Sequence, residues 1–301
     1  MRNAVTVGVV TVTYSSGHVV DGFLSSLLGQ THSDFVLYLV DNASTDETLV
    51  QVSKYSDPRI RIIANRENRG IAEANNQGIE AAIGEGCELV LLMNNDTEFE
   101  SDLIAKLVAG LYEFGCEMIA PKILYFENPS KIWSAGGGMD PSRGYAGFHH
   151  GYDEIDKGQF DLPQPVDHAP ACCLLVRKEV FQRIGLMDSR YFTYVEDTDF
   201  SYRAKMAGMR LMYLPSATLL HKAHSLTGGL FSDFMMRYTT RNRIYFMLKH
   251  FGPWRGLYYV PAYQVHLLLQ LLLRRVKPSM FWLREKAFLE GLELWRQSLA
   301  E

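Results

Sequence analysis

The chain of 301 residues is 47% hydrophobic and 21% charged, a globular composition that excludes disordered, collagenous and low-complexity classes. Its formal net charge of -4 and pI near 6.2 argue against a general nucleic-acid binder, so no nucleic-acid partner is expected. The charge is unevenly spread: residues 230–301 hold 11 Lys/Arg against 5 Asp/Glu, so an acidic body carries a basic tail.

The N-terminus, MRNAVTVGVV, enters strand-like sequence at once and lacks the pattern of a secretory signal, which sets the expectation of a cytoplasmic protein. Residues 5–13 (VTVGVVTVT) are rich in β-branched side chains on both faces and predict a buried strand. Residues 35–40, 60–63 and 88–93 predict three more, and 19–28, 46–55 and 71–83 predict the helices between them. This alternation implies a mostly parallel sheet with right-handed crossovers, whose ligands bind beyond the carboxyl ends of the strands.

Farther on, 101–114 predict a helix, 125–170 loops and hairpins, 172–177 a strand, and 178–184 and 197–207 two helices. From Ser232 the sequence predicts a helical tail broken at Pro253, Pro261 and Pro278. Cys87, Cys116, Cys172 and Cys173 have no metal-ligand spacing and are expected to be buried free thiols in a reducing compartment.

Three polar clusters end the predicted strands. In Asp41-Asn42-Ala43-Ser44-Thr45-Asp46, Asp41 can accept a hydrogen bond from a base or ribose, although the same residues suit a helix cap. In Asn68-Arg69-Gly70-Ile71-Ala72-Glu73-Ala74-Asn75-Asn76-Gln77-Gly78, Gly70 and the small Ala72 and Ala74 allow close approach at a helix start, where free N–H groups favour phosphate. A well-packed helix after a Gly-containing loop explains the same pattern. In Asn94-Asn95-Asp96, an apolar strand ends in oxygens suited to a hard divalent ion that also binds diphosphate, or simply in a polar turn.

Together, Thr13-Tyr14, DNASTD, NRGIAEANNQG and Asn94-Asn95-Asp96 resemble the motif series of family-2 glycosyltransferases of GT-A fold, rhamnosyltransferase-like branch. The resemblance continues through Cys172–Arg177, the Tyr191–Phe200 stretch YFTYVEDTDF, and His221-Lys222-Ala223-His224-Ser225, covering about residues 4–229. Asn94 stands where many relatives have Asp, which leaves Asp96 as the firmer metal position. The resemblance implies that Thr13, Tyr14 and Asp41 hold the nucleoside and that Asn68, Gly70, Asn75, Asn94 and Asp96 line the donor site. It also implies that Asp96 and His221 bind Mg2+ or Mn2+. His224, three residues on, is a candidate for contact with the diphosphate that the resemblance does not itself assign. Glu196 and Asp197 open a helix whose dipole favours ionised carboxylates; by resemblance Asp197 is the general base and Glu196 its neighbour on the acceptor. The WSAGGG segment at 133–138 corresponds to an acceptor-side loop, or is a mobile connector.

The expected fold is therefore an α/β GT-A mixed sheet flanked by helices, with a helical C-terminal extension. The expected division is 1–229 for the glycosyltransferase domain (1–98 nucleotide-binding, 99–229 acceptor and catalytic) and 230–301 for a basic tail. Residues 256–273, with Arg274, Arg275 and Lys277 beside them, are too short and interrupted to span a membrane and suit an anionic membrane surface, or a homodimer interface. The implied reaction is inverting transfer of a sugar, dTDP-rhamnose first and UDP-galactofuranose second, to a glycan or lipid-linked hydroxyl at the inner face of the membrane. A sugar-nucleotide nucleotidyltransferase and a non-catalytic binding module are the rival readings. The first lacks its Gly-rich, Arg-bearing opening, since residues 11–17 read TVTYSSG.

Overall fold

The computed structural model describes residues 5–223 and 232–300. In chain order the first half is β1 (Val7–Thr13), α1 (Val20–Leu28), β2 (Phe35–Asp41), α2 (Thr48–Ser53), β3 (Ile60–Ala64), α3 (Ile71–Gly84), β4 (Leu89–Met93), β5 (Thr97–Phe99) and α4 (Leu103–Glu113). It continues with β6 (Met118–Tyr125), β7 (Ile132–Ser134), β8 (Gly137–Asp140), β9 (Ala146–His149), β10 (Gln164–Val166), β11 (Cys173–Arg177), α5 (Lys178–Ile184), α6 (Glu196–Met206) and β12 (Leu211–His221). The tail is α7 (Asp233–Leu272) and α8 (Pro278–Ser298).

A mixed sheet runs in the order β10-β12-β6-β11-β4-β1-β2-β3, with β5 added to β12 and β7 to β6. β3, β2, β1 and β4 are mutually parallel, and β11 is antiparallel to both β4 and β6. The strands are apolar on both sides because both sides are covered. Val7 and Val9 pack with Phe23 and Leu27 of α1 and Leu107 of α4, whereas Val10 packs with Ile79 of α3 and Phe200 of α6. The strand order reverses at β1, between β2 and β4. The carboxyl ends carrying Thr13, Asp41 and Asn94-Asn95-Asp96 therefore meet at one edge of the sheet.

Two strands differ from the sequence pattern. β5 has only three residues, and β12 is one 11-residue strand that runs through Pro215, with a register shift against β6 between Leu214 and Thr218. β5 pairs antiparallel with the end of β12, setting His221 opposite Thr97, beside Asp96. The 133–138 segment is built into β7 and the β8–β9 hairpin, where a Cβ on Gly137 would lie 2.1 Å from the Phe148 carbonyl oxygen.

The tail bends at Gly252 (φ 69°), one residue before Pro253, while Pro261 lies inside the helix and Pro278 starts α8. The first half of α7 is packed inward: Tyr245, Phe246 and Met247 join Met139, Tyr191 and Tyr202. Beyond the bend, Val265, Leu268, Leu269, Leu272, Leu273 and Trp282 are exposed. Among the described residues no helix is long and apolar enough to cross a membrane. All four cysteines are buried and free.

Candidate active site

The parallel register of β1 and β2 sets Thr13 beside Asp41. The Thr13 hydroxyl donates to Asp41 Oδ1 (2.9 Å) and the Ser44 amide to Oδ2 (3.1 Å). Thr13 is thus buried and turned onto Asp41, whereas the next residue, Tyr14, is exposed. Asp46 accepts from the amides of Thr48 (3.1 Å) and Gly17 (2.9 Å), fastening the start of α2 to the β1 loop.

The second motif is occupied in a way its sequence does not reveal. Gly70 has φ 83°, and its neighbour is protein: an added Cβ would lie 2.5 Å from the Phe192 carbonyl oxygen. That oxygen accepts from the Ile71 amide (2.6 Å) and the Ala72 amide (3.5 Å), so the N–H groups expected to be open to phosphate at the α3 start are taken. Asn68 Oδ1 accepts from the Gly70 amide (2.9 Å) and from Asn42 Nδ2 (2.8 Å), which also reaches the Gly70 carbonyl. Asn75 is buried with Nδ2 3.9 Å from the Met187 sulfur, and Asn76 exchanges two hydrogen bonds with the Met187 backbone (2.8 and 2.9 Å). Asn68, Gly70 and Asn75 therefore seat the 187–195 segment, which leads into α6.

At the end of β4, the half-buried Asn94 bonds through its backbone to Cys172 and the Thr97 hydroxyl. Asn95 is buried; its Nδ2 donates to the Val12 carbonyl and to Ser16 Oγ, and its Oδ1 has no partner among the described residues. Asp96 Oδ1 lies 3.3 Å from His221 Nε2, both residues being almost wholly buried. Burial pushes the His221 imidazole down, but the Cys172 sulfur and the Asp96 carboxylate outweigh it and hold it at about 10. A divalent ion held there would have to displace that proton. Among the described residues no group of three or more His, Cys, Asp or Glu side chains suits a metal. One carboxylate and one imidazole nonetheless fit a divalent ion that takes its remaining ligands from phosphate and water.

Glu196 and Asp197 open α6 after a segment with three residues of left-handed φ: Phe192, Tyr194 and Val195, at 64°, 64° and 74°. Glu196 is buried with Oε2 unpartnered, and burial together with the Asp197 charge raises its carboxyl to about 8. The half-buried Asp197 accepts from the Thr198 amide (2.7 Å). Burial raises Asp197 as well, against the lowering influence of its bonds from Thr198. The two carboxyls sit side by side at the start of α6 and titrate as a pair, burial holding both above the ordinary carboxylate range.

A chain of rings runs away from His221. Trp133 contacts His221 (centroids 4.6 Å) and His149 (4.7 Å), and His149 lies against His168 (5.6 Å). Burial lowers His149 to about 3 and His168 to about 4, keeping both neutral. Sequence reasoning missed this histidine pair because His149 and His168 lie in a segment without period. It also left Asp199 without a role, although the acidic motif contains it. Asp199 is fully buried and accepts from Tyr191 Oη (3.0 Å), Arg203 Nε (2.7 Å) and Lys249 Nζ (2.7 Å), with His250 Nε2 at 2.7 Å. His224 lies outside the described residues.

Among known proteins, the model of the family described as Glycosyl transferase family 2 matches residues 8–185. The N-acetylglucosaminyl-diphospho-decaprenol L-rhamnosyltransferase of Mycobacterium tuberculosis is 29% identical over 267 residues, 82% of this chain and 86% of that protein. The low-salt glycan biosynthesis hexosyltransferase Agl10 of Haloferax volcanii is 26% identical over 246 residues, 79% of this chain and 76% of that protein. The fold is shared with the solved structure of GalNAc-T7 with UDP, GalNAc and Mn2+ (TM-score 0.63, 18% identity), which matches 80% of this chain but only 48% of its own. It is also shared with mannosyltransferase PcManGT of Pyrobaculum calidifontis in complex with GDP-Man and Mn2+ (TM-score 0.58, 16% identity, 97% of this chain and 88% of that one).

Proposed function

Because the chain belongs to glycosyl transferase family 2, we propose that it transfers L-rhamnose from dTDP-rhamnose to a hydroxyl of a lipid-linked or glycan acceptor, inverting the anomeric centre. The observation that carries the reading is that Asp41 ends β2 beside β1 and the Asp96–His221 pair joins the turn after β4 to the end of β12, while the Glu196–Asp197 pair opens α6 after a segment held by the α3 start. Asp41, oriented by Thr13 and Ser44, accepts from the nucleoside, and exposed Tyr14 covers it. Asn94 and Asp96 face the diphosphate. Asn68, Gly70 and Asn75 serve the donor site indirectly, by seating the segment that carries the acidic pair.

Asp197 takes the proton of the acceptor hydroxyl as its oxygen bonds to the anomeric carbon and the bond from that carbon to the diphosphate oxygen breaks. In this reading Glu196, beside the base at the start of α6, hydrogen-bonds the acceptor. Asp96 and His221 would hold Mg2+ or Mn2+, which supplies positive charge to the leaving diphosphate. The two solved structures of the same fold carry Mn2+ beside a nucleotide or nucleotide sugar, which supports a divalent ion here.

The rhamnosyl donor rests on the Mycobacterium tuberculosis relative, and UDP-galactofuranose is the second donor considered. The name of that relative also supports a sugar on a polyprenyl diphosphate as acceptor, presented at the inner face of the cell membrane. In this reading residues 1–229 perform the transfer, 1–98 holding the donor and 99–229 the acceptor. Within 230–301, the exposed apolar face around Leu268, Leu272 and Trp282, with exposed Arg274, Arg275 and Lys277 beside it, rests on anionic lipid.

A panel of nucleotide sugars with Mn2+ or Mg2+, read by thermal shift, tests the donor, because a ligand that binds only the folded state raises its melting temperature. A shift with dTDP-rhamnose supports the reading. A shift confined to UDP-galactofuranose replaces the donor, and one confined to a GDP-sugar refutes both.

A further inference from the structure

The segment that delivers Asp197 is held in place from the tail. Four carbonyls of residues 190–194, which belong to no strand, point at α7. Asn242, fully buried, has its side-chain Nδ2 at 2.8 Å from the Tyr191 carbonyl oxygen, 2.7 Å from that of Thr193 and 2.7 Å from that of Tyr194. Arg241 Nη2 donates to the carbonyls of Arg190 (2.9 Å) and Tyr191 (2.6 Å), and its Nε donates to Asn242 Oδ1 (2.8 Å), fixing which way the amide faces. On the opposite side the Phe192 carbonyl is held by the α3 start.

Between these two anchors lie Phe192, Tyr194 and Val195, all non-glycine residues with left-handed φ. Such a run persists only where its surroundings over-determine it. Lys249 and His250, two turns along α7, fix the other side of the same helix start through Asp199.

We propose that Asn242, oriented by Arg241, is a positioning residue for the reaction: it holds the 191–195 backbone in its left-handed path and so aims Glu196 and Asp197 into the site. The tail is then part of the catalytic centre, whatever surface its outer face meets. This inference rests on Asp197 as the base. Removing the amide withdraws a donor from three carbonyls, of which that of Tyr191 keeps its bond from Arg241, and frees the left-handed residues to relax, displacing the start of α6. The donor contacts at the ends of β1, β2 and β4 are untouched.

The test uses the full chain with dTDP-rhamnose and a synthetic N-acetylglucosamine-diphospho-lipid. Asn242→Leu removes both donors at similar volume and is measured in the wild-type and Asp197→Asn backgrounds. A misplacement of about 1 Å reduces turnover by about 10²-fold, so kcat is expected to fall about 10- to 100-fold in the wild-type background. The donor KM stays within about twofold, and little further kcat is lost in the Asp197→Asn background, because the two residues act as a unit. Hydrogen exchange of amides 191–199 accelerates while that of β1 and β4 does not.

Arg296→Ala, which breaks the exposed Arg296–Glu293 pair on α8, away from the 191–195 segment, retains kcat. If Asn242→Leu shows no cooperative melting, Arg241→Lys carries the same comparison through the neighbouring bonds. Unchanged kcat, or an equal loss in both backgrounds with KM rising in step, overturns the proposal. Wild-type transfer by Asp197→Asn refutes the base instead, and the exchange readout keeps that failure separate.

Discussion

Replacing Gly70 by Ala is expected to destabilise the fold by about 2–6 kcal/mol, and the figure follows from two independent penalties. The backbone at φ 83°, ψ 165° is a region that side-chain-bearing residues occupy only at a cost of about 1–3 kcal/mol. The new Cβ would also lie 2.5 Å from the Phe192 carbonyl oxygen and 2.8 Å from its Cα, backbone atoms that cannot swing aside as a side-chain tip does. Overpacking of that kind adds about 1–3 kcal/mol. The same helix supplies a control: a Cβ on Gly84 meets nothing within 4 Å, so Gly84→Ala is expected to be neutral or to gain up to about 1 kcal/mol of helix propensity. Urea denaturation of both variants at neutral pH, followed by circular dichroism, measures the difference. A Gly70→Ala loss below about 0.5 kcal/mol, the range of an ordinary surface substitution, would refute the contact with Phe192 as described.

Glu196→Gln should flatten the alkaline decline in stability. The folded-state value of about 8 lies above the ordinary 4.5, so between them the folded protein binds the extra proton and stability falls as pH rises. Melting temperatures of wild type and variant should therefore diverge from pH 5 to pH 9 in favour of Gln, and parallel curves would contradict the buried neutral carboxyl. Asp96→Ala and His221→Ala should each weaken metal-dependent nucleotide binding by at least about tenfold, or about 1.4 kcal/mol. Calorimetry that finds unchanged affinity in both variants, with and without Mn2+, removes the metal from that pair. Substituting Arg274, Arg275 and Lys277 by Ser should reduce co-sedimentation with anionic vesicles, each charge contributing about 1 kcal/mol at low salt. Wild-type protein that stays in the supernatant at every salt concentration and elutes as a dimer would instead make the exposed Leu268–Trp282 face an interface between copies.

The parts of the fold legible in the sequence were those with a strong local pattern. β1, β2 and β4 are covered on both faces, so they read as unbroken apolar runs, and the polar residues that follow them mark the edge where the sheet order reverses. β5 has three residues and no period, and Pro215 divides β12 into two apparent runs, so the pairing that sets His221 beside Asp96 was hidden. Gly70 announced a close approach but not by what, because its neighbour, Phe192, is remote in sequence.

The tail misled for a different reason. Arg241 and Lys249 look like a solvated basic face in sequence, yet in the fold they turn inward onto backbone carbonyls and onto Asp188 and Asp199. Charge alone does not distinguish a residue facing lipid from one buried in a pair. Beyond Gly252 the tail turns Val265, Leu268, Leu269 and Leu272 outward.

The central assignment is the base, and Asp197→Asn tests it with the least disturbance, since it keeps the shape of the side chain and removes its capacity to take a proton. Transfer of rhamnose to the lipid-linked acceptor should fall by about 10²-fold or more while nucleotide-sugar affinity stays within about twofold of wild type. Transfer at the wild-type rate would show that another group accepts the proton.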